Sequence, residues 1–170
     1  MLPLDLRNLR NQTLSGMRAP AMQFFIPNAA FFKALEPYKG TSFVEAGAGL
    51  GKVTQEALEH GFKMLAIDLM PRDGQWESVL VMDAESMPYS ADLWLLMCRP
   101  DHSGWAYDTL ELALKRGAGV FYAGLKRNFE VDLGDYVGRE TKRWDKVGED
   151  GESLFLFMPD ALLPPDHYDD

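Results

Sequence analysis

The chain is poor in cysteine and has no long apolar segment. Its single cysteine, Cys98, has no second cysteine to pair with, which is typical of proteins from a reducing compartment such as the cytoplasm. The longest apolar run, Leu93 to Cys98, is far shorter than the roughly 18 residues that a membrane span requires and predicts a buried strand instead. The first residues mix charges with leucines and do not predict a secretory signal. We therefore expect a cytoplasmic protein without a membrane segment.

Positive charge is also scarce. The chain has 17 Lys and Arg against 26 Asp and Glu, a net charge of −9. An acidic protein repels phosphate backbones, so the composition disfavours nucleic acid as a partner. Two groups of cations are potential local patches, but such groups more often form solvated faces. They are Arg7, Arg10 and Arg18, and Arg139, Lys142, Arg143 and Lys146.

Length and composition predict one globular domain. A chain of 170 residues with 46% hydrophobic residues buries roughly 70% of its unfolded surface, which is enough for a core without metal or disulfide. Scattered Pro, Gly and charges in the first residues indicate an arm or lid, and clustered acids and prolines at the end indicate a tail. We expect the arm over residues 1–28, the domain over 29–159 and the acidic tail over 160–170. We predict no metal site.

Strands and helices alternate along most of the domain. Helices are predicted over 29–36 and 52–60, and over a segment that Ser103 caps and that ends at Arg116. The predicted strands cover 41–45, 63–68, 78–83, 91–97 and 120–123, and most are nearly all apolar, as in parallel strands that are covered on both faces. Two connectors, 69–77 and 84–90, have room for about one helical turn each. Strands at 140–147 and 153–158 with a glycine-containing turn predict a final hairpin.

The most informative motif is Glu45-Ala-Gly47-Ala-Gly49-Leu-Gly51, at a strand-to-helix junction. Glycines let a ligand lie against the backbone, and the helix start offers unpaired N–H donors. A dinucleotide-binding loop requires its third glycine one residue later, where Lys52 stands. A phosphate-binding loop requires glycine in place of Ala46 and a hydroxyl in place of Val53. Neither pattern fits.

The pattern Glu-x-Gly-x-Gly-x-Gly resembles that of the class I S-adenosylmethionine-dependent methyltransferases. The resemblance covers about residues 41–125 and extends more loosely to Met158. It implies a Rossmann-like three-layer α/β sandwich with a mostly parallel seven-stranded sheet ending in an antiparallel hairpin, here with shortened connectors. It also implies S-adenosylmethionine as the cofactor. The implied cofactor contacts are Glu45, Gly47, Gly49 and Gly51 for the methionine part, Asp68 for the ribose, Asp83 and Ala84 for the adenine, and Cys98 near the methyl group.

The segment after the fourth predicted strand supplies the candidate catalytic residues, His102 and Asp101. An unperturbed imidazole has a pKa near 6.5 and can remove a proton at neutral pH. The alternative is that both residues only shape the start of the next helix. The Pro-Pro-aromatic motif of enzymes that methylate base amino groups is absent apart from Pro100, which disfavours those acceptors. Cys98 closes an apolar strand, where a thiol is more often inert than nucleophilic.

Three functions share these cofactor contacts. The first is methyl transfer from S-adenosylmethionine to a small molecule or protein group, which needs alignment more than covalent chemistry from the protein. The second is a non-catalytic module of the same fold that binds the cofactor, and the third is an enzyme that degrades the cofactor. Aromatic residues of the arm and connectors are potential pocket walls, although Phe24 and Phe25 are expected in the core.

Overall fold

A computed structural model describes residues 24–161. The arm up to residue 23 and the tail from residue 162 lie outside the described residues. The helices are α1 (Ala29–Leu35), α2 (Lys52–Glu59), α3 (Trp105–Lys115) and α4 (Lys126–Leu133). The strands are β1 (Ser42–Ala46), β2 (Lys63–Asp68), β3 (Leu80–Val81), β4 (Leu93–Cys98), β5 (Val120–Gly124), β6 (Lys142–Trp144) and β7 (Ser153–Phe157).

The seven strands form one sheet with the order β3-β2-β1-β4-β5-β7-β6. The first five strands in that order are parallel, whereas β7 runs antiparallel to both β5 and β6. The predicted fold class is therefore confirmed. Because β1 pairs with β2 on one side and β4 on the other, the chain reverses its direction of travel across the sheet at β1. In open α/β sheets, ligands bind outside the carboxyl ends of the strands at such a point.

The helices bury the faces that their sequence periods predict. In α3, Leu110, Ala113 and Leu114 are at most 1% exposed, as expected for residues spaced three or four apart on one helical face. Helix α1 begins at Asn28, whose side chain accepts a hydrogen bond of 2.9 Å from the Ala30 N–H. Phe31 of α1 packs edge-on against Phe25, which is buried as expected. The chain just before α1 also joins the hairpin, since the Asn28 N–H donates to the Val147 carbonyl.

The β2–β3 edge differs from the prediction of a six-residue third strand covered on both faces. Strand β3 has two residues, and both Leu80 and Val81 are exposed. The first short connector, residues 69–79, forms turns without a helix, and the second contains one 3₁₀ turn, Ala84–Ser86. Of the two connectors with room for one helical turn, the second thus contains one and the first does not. Leu65 of β2 is 36% exposed because no helix follows β2 to cover it.

Three further elements depart from the sequence analysis. Ser103 does not cap α3: the cap is Gly104 at φ 94°, and the helix begins at Trp105. Helix α4 was not predicted, because most of its residues are charged or polar; Phe129 and Leu133 are its buried apolar residues, and the Phe129 ring stacks 3.8 Å from Phe155. The hairpin is present, but β6 is shorter than the predicted strand over 140–147. Among residues 24–161, no helix is long and apolar enough to cross a bilayer, and no His, Cys, Asp and Glu side chains cluster as metal ligands would.

Candidate functional site

A cavity of about 760 Å³ lies at the carboxyl ends of β1, β2 and β4. The glycine loop, the residues after β2 and β3, and the segment after β4 form its wall. Its lining comprises Phe24, Gly47, Gly49, Asp68, Leu69, Met70, Arg72, Met82, Asp83, Ala84, Glu85, Cys98, Arg99, Pro100, Asp101, His102, Ser103, Trp105 and Asn128. The fold thus brings together eight of the ten predicted site residues at one cavity. Glu45 and Gly51 are not in this lining.

The glycine loop depends on left-handed backbone and on missing side chains. Gly47, Gly49 and Gly51 have φ values of 67°, 59° and 84°, which favour glycine over residues with a Cβ. A Cβ on Gly47 would lie 2.7 Å from the Trp105 ring, and one on Gly49 would lie 2.7 Å from the Phe24 ring. Phe24 therefore covers the loop and does not join the core, contrary to the expectation for it.

Gly51 serves packing behind the loop. A Cβ at this position would lie 2.6 Å from a methyl group of Val79. Val79 and Ala48 belong to a small apolar cluster separate from the main core. Gly51 also caps α2 in the left-handed conformation. Its contribution to a ligand site is therefore to let the loop close tightly against the connector that follows β2.

Asp68 joins the loop to the end of β2. Its Oδ2 accepts a hydrogen bond of 2.8 Å from the Gly49 N–H, and its Oδ1 accepts one of 2.9 Å from the Met70 N–H. The Arg72 Nε lies 3.7 Å from Oδ2. The residue is buried but lines the cavity. A carboxylate has about four acceptor positions, so these two N–H bonds leave capacity for ligand hydroxyls.

The residues after β3 form a second polar region of the cavity wall. Asp83 Oδ1 accepts a hydrogen bond of 2.9 Å from the Glu85 N–H and so caps the short 3₁₀ turn. The Ala84 carbonyl accepts a 2.7 Å hydrogen bond from the Tyr89 hydroxyl. Burial, with the charges of Asp83 and Glu85, raises the pKa of Tyr89 above its ordinary value. Tyr89 therefore stays protonated and holds the turn at the cavity.

Glu45 lies behind the wall and close to Cys98, which lines the cavity. Thr54 Oγ1 of α2 donates a 2.6 Å hydrogen bond to Glu45 Oε1, and the carboxyl is 1% exposed. Burial raises the pKa of Glu45 to about 7. Burial and the nearby Glu45 charge also raise the pKa of Cys98 well above its ordinary value. The thiol is therefore protonated at neutral pH, which makes it a poor nucleophile.

Asp101 organises the loop that enters α3. Its Oδ1 accepts hydrogen bonds from the Ser103 N–H at 3.1 Å, the Ser103 hydroxyl at 2.6 Å and the Trp105 Nε1–H at 3.1 Å. Partial burial raises the pKa of Asp101, but these hydrogen bonds outweigh that effect and lower it overall. The carboxylate thus anchors the indole that lies against Gly47.

His102 has a partner that the sequence analysis missed. Its Nδ1 lies 2.6 Å from Asp132 Oδ1 on α4, and Asp132 Oδ2 accepts a 2.6 Å hydrogen bond from the Tyr122 hydroxyl on β5. The carboxylate is almost completely buried, whereas half of the imidazole is exposed. No short sequence motif joins residues so far apart, and α4 itself was not predicted. A strand tyrosine followed by an aspartate ten residues later is too common to have signalled the cluster.

Arg99 fixes the cavity wall to the final hairpin. It has φ 46°, a left-handed conformation that is uncommon for arginine. Its guanidinium lies 3.2 Å from the buried Glu152 carboxylate and 3.0 Å from Asp150. The turn after β4 is thus held in a strained conformation by ion pairs with the residues before β7.

Negative charge dominates the cavity wall. Four carboxylates line it, from Asp68, Asp83, Glu85 and Asp101, against two guanidinium groups, from Arg72 and Arg99. Such an excess attracts cationic ligands and repels polyphosphates.

Comparison with known proteins shows relatives in structure but not in sequence. No protein-family model matches the chain, and no curated protein matches it. A candidate type 11 methyltransferase from Sulfolobus solfataricus superposes with a TM-score of 0.57 at 14% identity, over 78% of this chain and 93% of that one. A candidate RNA methyltransferase from Pyrococcus horikoshii gives 0.56 at 16% identity, over 81% and 86% of the two chains. The chain therefore has the Rossmann-like fold of the class I methyltransferases.

Proposed function

We propose that the chain binds S-adenosylmethionine in this cavity and transfers the methyl group to a small-molecule or protein acceptor. The observation that carries the proposal is the common wall formed by the glycine loop, Asp68 and the Asp83–Ala84 pair. These residues follow three adjacent strands in the order in which the family resemblance assigns them to methionine, ribose and adenine. When bound, S-adenosylmethionine supplies a methyl group that its sulfonium already activates.

The donor set fits that cofactor. Gly47 and Gly49 line the cavity without side chains of their own, and the rings of Trp105 and Phe24 pack against them. Asp68 retains acceptor capacity for the two hydroxyls of a ribose. Asp83 offers a carboxylate and Ala84 a backbone N–H, the acceptor and donor that an adenine edge requires. In the proposal Glu45 and Gly51 act by shaping the loop from behind, and Cys98 contributes an uncharged surface to the wall.

The charge of the cavity wall favours S-adenosylmethionine over NAD and ATP, the ligands of the two loop patterns that the sequence nearly matches. S-adenosylmethionine carries a cationic sulfonium and an ammonium group, whereas NAD and ATP carry two or more phosphates. With four carboxylates against two guanidinium groups on the wall, the field opposes phosphate and supports the sulfonium.

His102 is the proposed general base, because its imidazole is exposed to the cavity and is held by Asp132. Asp101 is the second catalytic candidate. Its lowered pKa makes it the weaker base of the two, so its proposed contribution is to position Trp105 and the loop beside the reacting groups.

Two measurements test the proposal. Calorimetry with S-adenosylmethionine, S-adenosylhomocysteine, NAD and ATP should show binding of the two sulfur compounds only; tight binding of NAD or ATP alone would overturn it. The protein is then incubated with methyl-labelled S-adenosylmethionine, alone and with cell extract. Extract without the protein gives the background, and we expect the protein to form S-adenosylhomocysteine above that background only when extract is present. Cofactor breakdown without extract would indicate a degrading enzyme, and binding without any product would indicate a non-catalytic module.

A further inference from the structure

We propose that Asp132 and Tyr122 are positioning residues that hold His102 as a proton acceptor towards the cavity, and that the methyl acceptor is a hydroxyl or amine that must lose a proton. The acceptor class in this inference rests on the proposed function. The arrangement of the three side chains itself is independent of any cofactor.

The geometry fixes which nitrogen of His102 carries a proton. Asp132 Oδ1 lies 2.6 Å from Nδ1, and an ionised carboxylate only accepts hydrogen bonds. The proton of a neutral imidazole must therefore lie on Nδ1, which leaves the Nε2 lone pair unprotonated. The buried carboxylate takes up one edge of the ring, and the exposed half of the imidazole lines the cavity. Nε2 is thus the nitrogen that is available to an acceptor.

Tyr122 fixes the carboxylate in turn. The tyrosine is fully buried on β5, and its hydroxyl donates 2.6 Å to Asp132 Oδ2. Burial, together with the hydrogen bond to Asp132 and its negative charge, raises the pKa of Tyr122 far above its ordinary value. The hydroxyl consequently remains a donor at any physiological pH. Because each Asp132 oxygen has its own partner, rotation of the carboxylate would break two short hydrogen bonds at once.

Other charges face this cluster from the neighbouring elements. Arg99, at the end of β4, acts on Tyr122 electrostatically. Asp101 precedes His102 in the chain, and Arg72, Asp68, Asp83 and Glu85 share the cavity wall. Asp101 is occupied by Ser103 and Trp105, so Asp132 is the carboxylate that orients the imidazole.

This arrangement has a use only for some acceptors. A carboxylate or a thiolate already presents a lone pair and needs no base. A neutral hydroxyl, or an amine that keeps its proton until attack, must lose that proton as it reacts. In the balanced step, the acceptor proton passes to His102 Nε2, the acceptor lone pair forms a bond to the methyl carbon, and the C–S electron pair returns to sulfur. One positive charge moves from sulfonium to imidazolium.

The tautomer of His102 tests the positioning role without cofactor. Nitrogen-15 spectra are recorded at a pH of about 9, where an ordinary imidazole is neutral. The sequence has three histidines, and the variant His102→Asn identifies the signal. His60, whose Nδ1 lies 2.9 Å from the Glu56 carbonyl, is the internal standard for protonated Nδ1. We expect His102 to match that standard; a proton on Nε2 in the wild-type protein would overturn the proposal.

The His102 tautomer in the variant Asp132→Asn is the second test of the positioning role. Since Tyr122 donates to one oxygen of the side chain, the amide keeps its oxygen towards Tyr122 and turns its NH₂ towards His102, which moves the imidazole proton to Nε2. Asp135→Asn, on the exposed turn after α4, is the matched control and should leave the tautomer unchanged. An unchanged tautomer in Asp132→Asn would contradict the positioning role. If that variant does not fold, the wild-type spectrum still decides.

The acceptor class is read from the labelled product formed with extract. Methyl ethers and methylamines survive mild alkali, whereas methyl esters release methanol. We expect an alkali-stable label that is not on sulfur. Label recovered as a methyl ester or a thioether would overturn the acceptor class. If no product forms at all, the proposed function fails and the acceptor class fails with it, while the tautomer measurement still decides the role of Asp132.

Discussion

The hydroxyl of Thr54 donates a 2.6 Å hydrogen bond to the buried carboxyl of Glu45, which joins the strand before the glycine loop to the helix after it. The loop is therefore closed from behind by side chains that do not line the cavity. Glu45 is the residue that begins the sequence motif, yet its direct contacts are within the protein.

Glu45 should make stability depend on pH. The unfolded chain loses this proton near pH 4.5, whereas burial holds it in the folded protein up to about pH 7. Over that window the folded state binds more protons, so the free energy of unfolding falls as pH rises, by on the order of 3 kcal/mol from this group. Urea unfolding of the wild type and Glu45→Gln between pH ~5 and ~8 measures the effect.

The glutamine variant should lose that dependence, because it does not ionise and keeps an oxygen for Thr54. Glu59→Gln, at the exposed end of α2, is the control and should keep the wild-type slope. Equal slopes in all three proteins would show that Glu45 ionises normally in the folded state.

Asp68→Ala should weaken S-adenosylmethionine binding by about 1.5 to 3 kcal/mol, the scale of hydrogen bonds to a charged acceptor. It should also lower the free energy of unfolding, because the Gly49 N–H loses its partner. Calorimetry and urea unfolding of the same samples separate the two effects. Asp73→Ala, in the connector that follows β2 and outside the cavity lining, should leave the affinity nearly unchanged. If both variants lose affinity equally, Asp68 does not contact the ribose.

The glycine loop and the strand ends were predictable because each is a local pattern. Thr41 to Gly51 and Lys63 to Asp68 contain their own turn chemistry and hydrophobic runs, and parallel strands bring their carboxyl ends to one edge. The contact between His102 and Asp132 spans 30 residues and depends on α4, whose charged sequence gave no clear period. The cover that Phe24 places over Gly49 likewise depends on tertiary packing, which no local pattern records.

Gly49→Ala should lower the free energy of unfolding by about 1 to 2 kcal/mol, because a Cβ disfavours left-handed backbone. The methyl group would also lie 2.7 Å from the Phe24 ring. In the Phe24→Ala variant this contact is absent, whereas the backbone strain at residue 49 remains. Gly49→Ala should therefore lower the free energy of unfolding by about 0.5 to 1 kcal/mol less in that variant than in the wild type. A double-mutant cycle by urea unfolding measures this coupling. Additive effects would show that Phe24 does not cover the loop in solution.

Cys98 should resist alkylation in the folded protein. It is the single cysteine, it is 8% exposed, and its raised pKa leaves little thiolate at neutral pH. Reaction with iodoacetamide should be slower than in urea-unfolded protein by about two orders of magnitude or more. Saturating S-adenosylmethionine should slow it further if the cofactor covers this wall. Similar rates for folded and unfolded protein would contradict the buried position.

His102→Ala should lower turnover on an identified acceptor by roughly 10² to 10⁴, while cofactor affinity stays nearly unchanged. The base acts on the acceptor and not on the sulfonium, which explains the selectivity. His60→Ala is the control. Full activity in His102→Ala would indicate that alignment alone supplies the rate.

The two outer strands of the sheet affect how the protein behaves at high concentration. Strand β3 offers two residues for pairing, and β6 offers three, of which Lys142 and Arg143 are exposed cations. Long, flat, uncharged outer strands can pair through their backbone N–H and C=O groups with strands of other molecules. Short outer strands offer few of these groups, and charged ones repel such pairing. The shortened connectors that leave Leu80 and Val81 uncovered thus also keep that edge too short to nucleate an intermolecular sheet.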